Sequence, residues 1–324
     1  MKKAIVFSLK LFFSFGIIIF IIHNYINIDD FIKTVQGINY SILPFLFILI
    51  YVTRILIAYQ TKISFTPFNI NTNTHDIFRI HFISSFYSLV LPSDLAASGI
   101  TWYLLSKENN RRAEVASAIV YLRILNIITL LPFALLGIYL EPKIREYNIH
   151  VYVLAFGFLL FIILLSLFWH KLATIIESIF NYLIQLIPLN KLSKRLLEAN
   201  LNVWNSVKII RKMPIKFFVN IIILSFVFQL LTIISTYLVL EMVNIHLSIS
   251  VSAWLTALLT IIAFIPLTIS GIGLRDLSLI YVLQEFYLIS PESSLFLSTV
   301  ILLITIFFCV FFGGYYAITF GKRK

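Results

Sequence analysis

The sequence predicts an all-α integral membrane protein: a polytopic helical bundle with about six full spans and two broken, re-entrant helical hairpins, arranged as an inverted-topology repeat. Three observations predict it. The 324 residues are 60% hydrophobic with a mean hydropathy of +0.99, above the roughly 45–50% apolar content of soluble domains. Lys and Arg fall between the apolar runs. Two of those runs are interrupted alike: LVLPSDLAASGITWYLL (89–105) and AFIPLTISGIGLRDLSL (263–279) each set a proline seven residues before a glycine, Pro92 to Gly99 and Pro266 to Gly273. Broken helix at membrane depth is tolerated only where protein or water covers it. Paired breaks in corresponding places point to a transport site near the bilayer midplane.

A spanning helix takes about 20 mostly apolar residues. Full spans are expected near 4–24, 41–60, 115–139, 149–169, 217–241 and 293–318. The opening MKK and its apolar run mimic a secretory signal. The run is too long, Lys10 interrupts it and no small-residue cleavage site follows, so it reads as an uncleaved span. The runs 77–106 and 250–288 hold the breaks, with backbone interruptions expected at Pro92, Gly99, Pro266, Gly271 and Gly273. Each is long enough for two short helices that enter and leave on one side; two ordinary kinked spans is the competing reading.

Basic residues set the orientation. Lys2, Lys3, Lys62, Arg79, Lys107, Arg111 and Arg112, the lysines and arginines of 171–216, and Lys322 to Lys324 face the cytoplasm together if both termini are inside. Only Lys33, Lys143 and Arg145 then remain for outer loops. The first hairpin enters from the cytoplasm and the second from outside. One membrane domain, 1–324, thus divides into inverted repeats of about 1–140 and 149–324, an architecture shared by many secondary transporters. Residues 170–216 alternate apolar and basic positions at helical spacing, as in a cytoplasmic basic amphipathic segment on the inner leaflet with Trp204 and Phe180 as anchors. A plain connector is the alternative.

The net charge of +11 belongs to these juxtamembrane positions and implies no nucleic-acid partner. The single cysteine, Cys309, permits no internal disulfide, and no Cys/His metal spacing occurs. The six histidines are scattered near the expected membrane boundaries. No Ser-His-Asp arrangement, Walker loop or dinucleotide fingerprint is present, so no cofactor, metal or catalytic residue is assigned.

Charges inside apolar runs carry the functional reading. These are Arg54, Arg123, Arg275 and Asp276 after the second break, and Asp94 in the first. An arginine at a helix centre costs about 2.5–3.5 kcal/mol on insertion scales, so such residues are expected to face the interior and meet a carboxylate or an anionic ligand. Arginine suits phosphate because its planar fork makes two parallel hydrogen bonds. Plainer readings exist for each. Arg54 can snorkel from a helix end, Arg275 and Asp276 can form a local pair or helix-start cap, and Asp94 can cap the half-helix after Pro92.

At these residues the chain resembles the lysylphosphatidylglycerol synthase transmembrane region family, also described as flippase-like domain proteins. That region is the membrane half of the multiple peptide resistance factor and also occurs alone. PLTISGIGLRD is similar to the family's Pro, small residues, Gly-x-Gly, then Arg and an acid, with Asp276 in the place usually held by Glu. Arg54 resembles the family's early arginine, and YLRILN its later arginine-bearing stretch, placing Arg123 on the matching residue. The first motif departs: Ala96 and Ala97 stand for paired glycines, Ser98 lies near the acid and Thr101 takes the arginine's place. No soluble aminoacyl-transferase half accompanies the sequence, so lysyl-lipid synthesis is not expected of it.

The resemblance implies a flippase-like protein of the bacterial inner membrane. It would bind or translocate an anionic phospholipid or polyprenyl-phosphate lipid through Arg123, Arg275, Asp276, Asp94 and Arg54. Two alternatives are an integral-membrane glycosyltransferase (or its subunit) using lipid-linked sugar, and a non-transporting scaffold for a partner synthase.

Overall fold

The computed structural model describes residues 16–89, 94–109, 111–147, 149–165, 169–186, 190–264 and 271–321. The regular elements among them are helices. The chain opens with α1 (Gly16–Tyr25), α2 (Ile28–Gln36) and the long α3 (Leu43–Phe65). A pair follows, α4 (Thr74–Ser88) and α5 (Asp94–Asn109), then the long α6 (Arg112–Leu140). The middle holds α7 (Pro142–Arg145), α8 (Ile149–Leu165), α9 (His170–Gln185) and α10 (Asn190–Arg211). The earlier order then returns: the long α11 (Ile215–Met242), a pair α12 (Ile249–Phe264) and α13 (Leu274–Tyr287), and the long α14 (Pro291–Phe308). That last helix passes through a π-helical turn at Cys309–Gly314 into α15 (Tyr315–Gly321).

Among the described residues, four stretches are long and apolar enough to cross a bilayer: Tyr40–Phe68, Arg112–Leu140, Ile215–Met242 and Pro291–Thr319. This is an all-α, multi-pass membrane fold. The spans expected at 4–24 and 149–169 are represented among the described residues by shorter apolar helices, α1 and α8.

Both pairs are hairpins. Thr72, just before α4, donates to Asn109 at the end of α5 at 3.4 Å, and Arg111 donates to the carbonyl of Phe68. Trp254, near the start of α12, stacks on Tyr287 at the end of α13 with ring centroids 6.4 Å apart. At ~1.5 Å per residue the four short helices reach about 21–24 Å, less than the ~30 Å hydrocarbon core. Pro92 and Pro266 lie outside the described residues.

The hairpins open toward opposite ends of the bundle. The Asn39 N–H donates to the Met242 carbonyl at 2.9 Å, and Gln60 donates to Ser225 at 3.3 Å, so α3 and α11 run antiparallel. The first hairpin's ends lie beside the end of α3, and the second follows the end of α11.

Two glycines let the halves interlock. A Cβ on Gly137 of α6 would lie 2.4 Å from the carbonyl oxygen of Ser250 in α12. One on Gly313, in the π turn after α14, would lie 2.4 Å from the carbonyl oxygen of Phe82 in α4. Each half's closing helix therefore receives the first hairpin helix of the other half at backbone contact, as small residues permit between membrane helices.

Candidate functional site

A cavity of about 370 Å³ lies where the two halves meet. From the first half, α3 contributes Arg54, Ile57 and Thr61; α4 contributes His81, Ser84, Ser85 and Ser88; α5 contributes Ala97, Ser98 and Thr101. Arg123, Asn126 and their apolar neighbours come from α6. The second half closes it with Phe228, Gln229 and Thr232 of α11, Thr260 of α12, Thr305 of α14 and Cys309 at the start of the π turn. Arg54 and Arg123 sit near the middle of long apolar helices, so the wall is polar where the surroundings are not.

Arg54 donates to Ser85 at 3.3 Å, and its guanidinium lies 5.8 Å from the centre of the Phe82 ring. Arg123 donates to Ser98. Each cation thus reaches a serine on a different helix of the first hairpin. The ring nitrogen Nε2 of His81 is 3.1 Å from the Thr61 hydroxyl, and Gln229 donates to the backbone carbonyl of Asn126 at 2.6 Å.

Arg275 and Asp276 do not line this cavity. The Arg275 Nε donates to the Ser298 hydroxyl at 2.7 Å and its Nη2 to the Ser298 carbonyl at 3.1 Å, which fastens α13 to α14. Asp276, 5% exposed, accepts from the Gly273 N–H at 2.7 Å and from the Ser298 hydroxyl. It closes the first turn of α13 as a helix-start cap. Gly271 and Gly273 have φ of +75° and +86°, where a Cβ is disfavoured. The described end of the second break, 271–273, is thus a glycine turn closed by Asp276. Asp94 is the first residue of α5, and its side chain lies outside the described set.

Gly99 corrects the expectation at the first break. It lies inside α5 with open space around its Cβ position, so it interrupts nothing. His81, noted in the sequence only as one of the scattered histidines, lines the cavity. Also missed were Ser84, Ser85 and Ser88, which with His81 follow the i, i+3, i+4, i+7 spacing of one helix face. That polar stripe within an apolar run was the available signal.

A family model described as lysylphosphatidylglycerol synthase TM region matches residues 6–313. The chain belongs to that family. Comparisons with curated proteins and with solved structures each returned no match. In this member of the lysylphosphatidylglycerol synthase TM region family, the guanidiniums on the cavity wall come from Arg54 and Arg123 on the long helices, and Thr101 lines the wall from α5.

The segment 170–216 resolves into α9 packed on α10. Trp204, 8% exposed, is held against Ala173 and Ile176, which replaces the expected lipid-anchor role with a packing role. Phe180 remains exposed beside Ile175, Ile179 and Leu183 of α9 and Leu186 at its C-cap.

Proposed function

We propose that this protein is a flippase-like transporter of the bacterial inner membrane, binding an anionic lipid by its phosphate and moving it between leaflets. The observation that carries the reading is the convergence of Arg54 and Arg123 on one cavity between the two halves. Two guanidiniums at mid-helix supply charge-assisted donors for a phosphate, while the tail stays among the exposed apolar helices. We read the two halves as an inverted-topology repeat, with hairpins entering from opposite leaflets and rocking of one half against the other exposing the site alternately.

By the helix bounds, Lys62, Lys107, Arg112 and Lys216 lie toward one end of the bundle with Asp76 and Glu114, and Asp30, Glu141, Glu241 and Glu292 toward the other with Lys33, Lys143 and Arg145. The basic end then faces the cytoplasm, with both termini inside. The apolar stripe of α9 suits the inner-leaflet surface, beneath the basic residues of α10. An enzymatic reading needs a carboxylate base, for which Asp94 and Asp276 are the candidates, and Asp276 is engaged by Gly273 and Ser298.

The test is dithionite quenching of acyl-labelled phosphatidylglycerol in proteoliposomes. The wild-type protein should expose inner-leaflet label, and Arg54→Ala and Arg123→Ala should each slow exposure by at least ~10-fold, as loss of about 1.4 kcal/mol of phosphate binding requires. Wild-type rates in both variants, or a wild-type rate equal to protein-free vesicles, overturn the proposal.

A further inference from the structure

We infer that His81 is a proton-binding group of the cavity, taking up a proton when an anion enters, so that anion and proton occupy the site together. The inference rests on reading the cavity as an anion site and adds what accompanies the anion there.

The tautomer of His81 is assigned by its partner. Thr61 on α3 donates its hydroxyl proton to the Ile57 carbonyl at 2.8 Å. A hydroxyl carries a single proton. The 3.1 Å contact between Thr61 and Nε2 of His81 is therefore an Nε2–H donating to the Thr61 oxygen. In a neutral imidazole the other nitrogen then holds a lone pair. Nδ1 makes no hydrogen bond among the described residues, and His81 is partly exposed and lines the cavity. Nδ1 is thus a basic atom open to a proton.

Arg54 is held close to this ring. It donates to Ser85, and His81 donates to Thr61, so two rungs join the same pair of helices. The rungs are seven residues apart on α3 and four apart on α4. At ~1.5 Å per residue this sets the guanidinium and the imidazole about 6–10 Å apart along the helices. An anion held by Arg54 favours the charged form of a nearby imidazole. By linkage, the proton strengthens anion binding by the same factor. The proton comes from water and adds to the Nδ1 lone pair. The new Nδ1–H is a donor for the anion, while Nε2–H keeps Thr61.

Other charged and titratable groups surround α4. Toward its start, Arg79 lies 3.8 Å from Asp76 and over the Tyr316 ring of α15, beside His75. Lys62 on α3 and Lys107 on α5 are exposed. The side chains of Asp94 and Glu108 on α5 lie outside the described set. Arg54, Arg123 and Cys309 share the cavity wall with His81. All of them remain in a protein changed only at His81, so a pH response that such a change removes belongs to His81.

Phosphatidylglycerol is the probe, because its phosphodiester keeps one negative charge across the range in which histidine titrates. Binding of acyl-labelled phosphatidylglycerol to the full chain in detergent should tighten by ~10-fold or more from about pH 8 to about pH 5.5. His81→Gln retains an N–H for Thr61 but has no titratable nitrogen, and its affinity should change by less than ~2-fold over the same range. His81→Asn is read in the same way and covers the case in which His81→Gln does not fold. A purely structural tie between His81 and Thr61 would alter the thermal midpoint and leave the pH slope in place. Equal wild-type affinity at both pH values overturns the His81 inference and leaves the lipid site standing. A slope that survives in a folded His81 variant puts the proton on another group and also overturns it. Failure of phosphatidylglycerol to bind at either pH removes the lipid reading and the inference together. Glycerophosphoglycerol binding as tightly as the lipid, with the same His81-dependent slope, keeps the proton site and replaces the lipid by a soluble phosphodiester.

Discussion

Arg123 on α6 donates to Ser98 on α5, and the second half of the chain repeats this bridge with donor and acceptor exchanged. There Arg275 on α13 donates to Ser298 on α14. In each half a guanidinium–hydroxyl contact ties the second hairpin helix to the long helix that follows. The consequences differ because the surroundings differ. Arg123 borders the cavity, whereas Arg275 is closed off by Asp276 and Ser298. The first bridge sets its guanidinium on the cavity wall; the second is a fastening between two helices away from it.

Arg275→Ala is therefore expected to damage stability. It leaves Ser298 and the Asp276 carboxylate short of a buried partner, a loss of about 2–3 kcal/mol. The thermal midpoint in detergent should fall, while the folded fraction still binds anionic lipid as the wild type does. A variant as stable as the wild type that has lost lipid binding would return Arg275 to the transport site.

The glycines on the closing helices make the second prediction. Gly137→Val and Gly313→Val push side-chain atoms into backbone at contacts already 2.4 Å from a Cβ, so the facing helices must separate. Overpacking of this kind costs ~1–3 kcal/mol or more, and both variants should show lower midpoints and poorer folded yield. Gly99→Ala meets nothing within 4 Å and lies inside α5. It should be neutral or stabilise the protein by up to ~1 kcal/mol. Destabilisation by Gly99→Ala would restore the reading of Gly99 as a break.

How much of this was legible in the sequence follows from the range of each interaction. The long helices were legible because a span is apolar all round for about 20 residues, a purely local property. Arg54 and Arg123 stood out as charges inside those runs, and Gly271 and Gly273 as glycines before a helix start. The fate of Arg275 was not legible. Its partner Ser298 is 23 positions away on another helix, and no spacing rule connects them. Trp204 misled for a related reason: an aromatic residue on an amphipathic helix suits lipid and protein equally, and only the α9 contact decides.

The α9–α10 pair carries the third prediction. Trp204→Ala opens the contact with Ala173 and Ile176 and removes a large buried aromatic, at a cost of ~3–5 kcal/mol locally. The cavity residues lie on other helices. Limited proteolysis between 186 and 212 should therefore accelerate, while lipid exposure in proteoliposomes keeps its wild-type rate. Loss of lipid movement with α9 and α10 still protected would tie this pair to the transport step.

Cys309 supplies the fourth prediction, because it is the single cysteine of the sequence and lines the cavity at the start of the π turn. Arg54 and Arg123 line the same cavity. A cleft lined by one sign of charge concentrates counter-ions and speeds their reactions by ~10-fold or more. An anionic methanethiosulfonate should therefore gain on a cationic one at this thiol. In the Arg54→Ala, Arg123→Ala double variant the anionic-to-cationic rate ratio should fall by ~10-fold, since both sources of the field are gone. Phosphatidylglycerol should slow the anionic reagent in the wild type by occupying the same guanidiniums. A rate ratio that is the same in the double variant and the wild type would mean that the arginines do not govern this space, and the phosphate site would have to be sought elsewhere on the molecule.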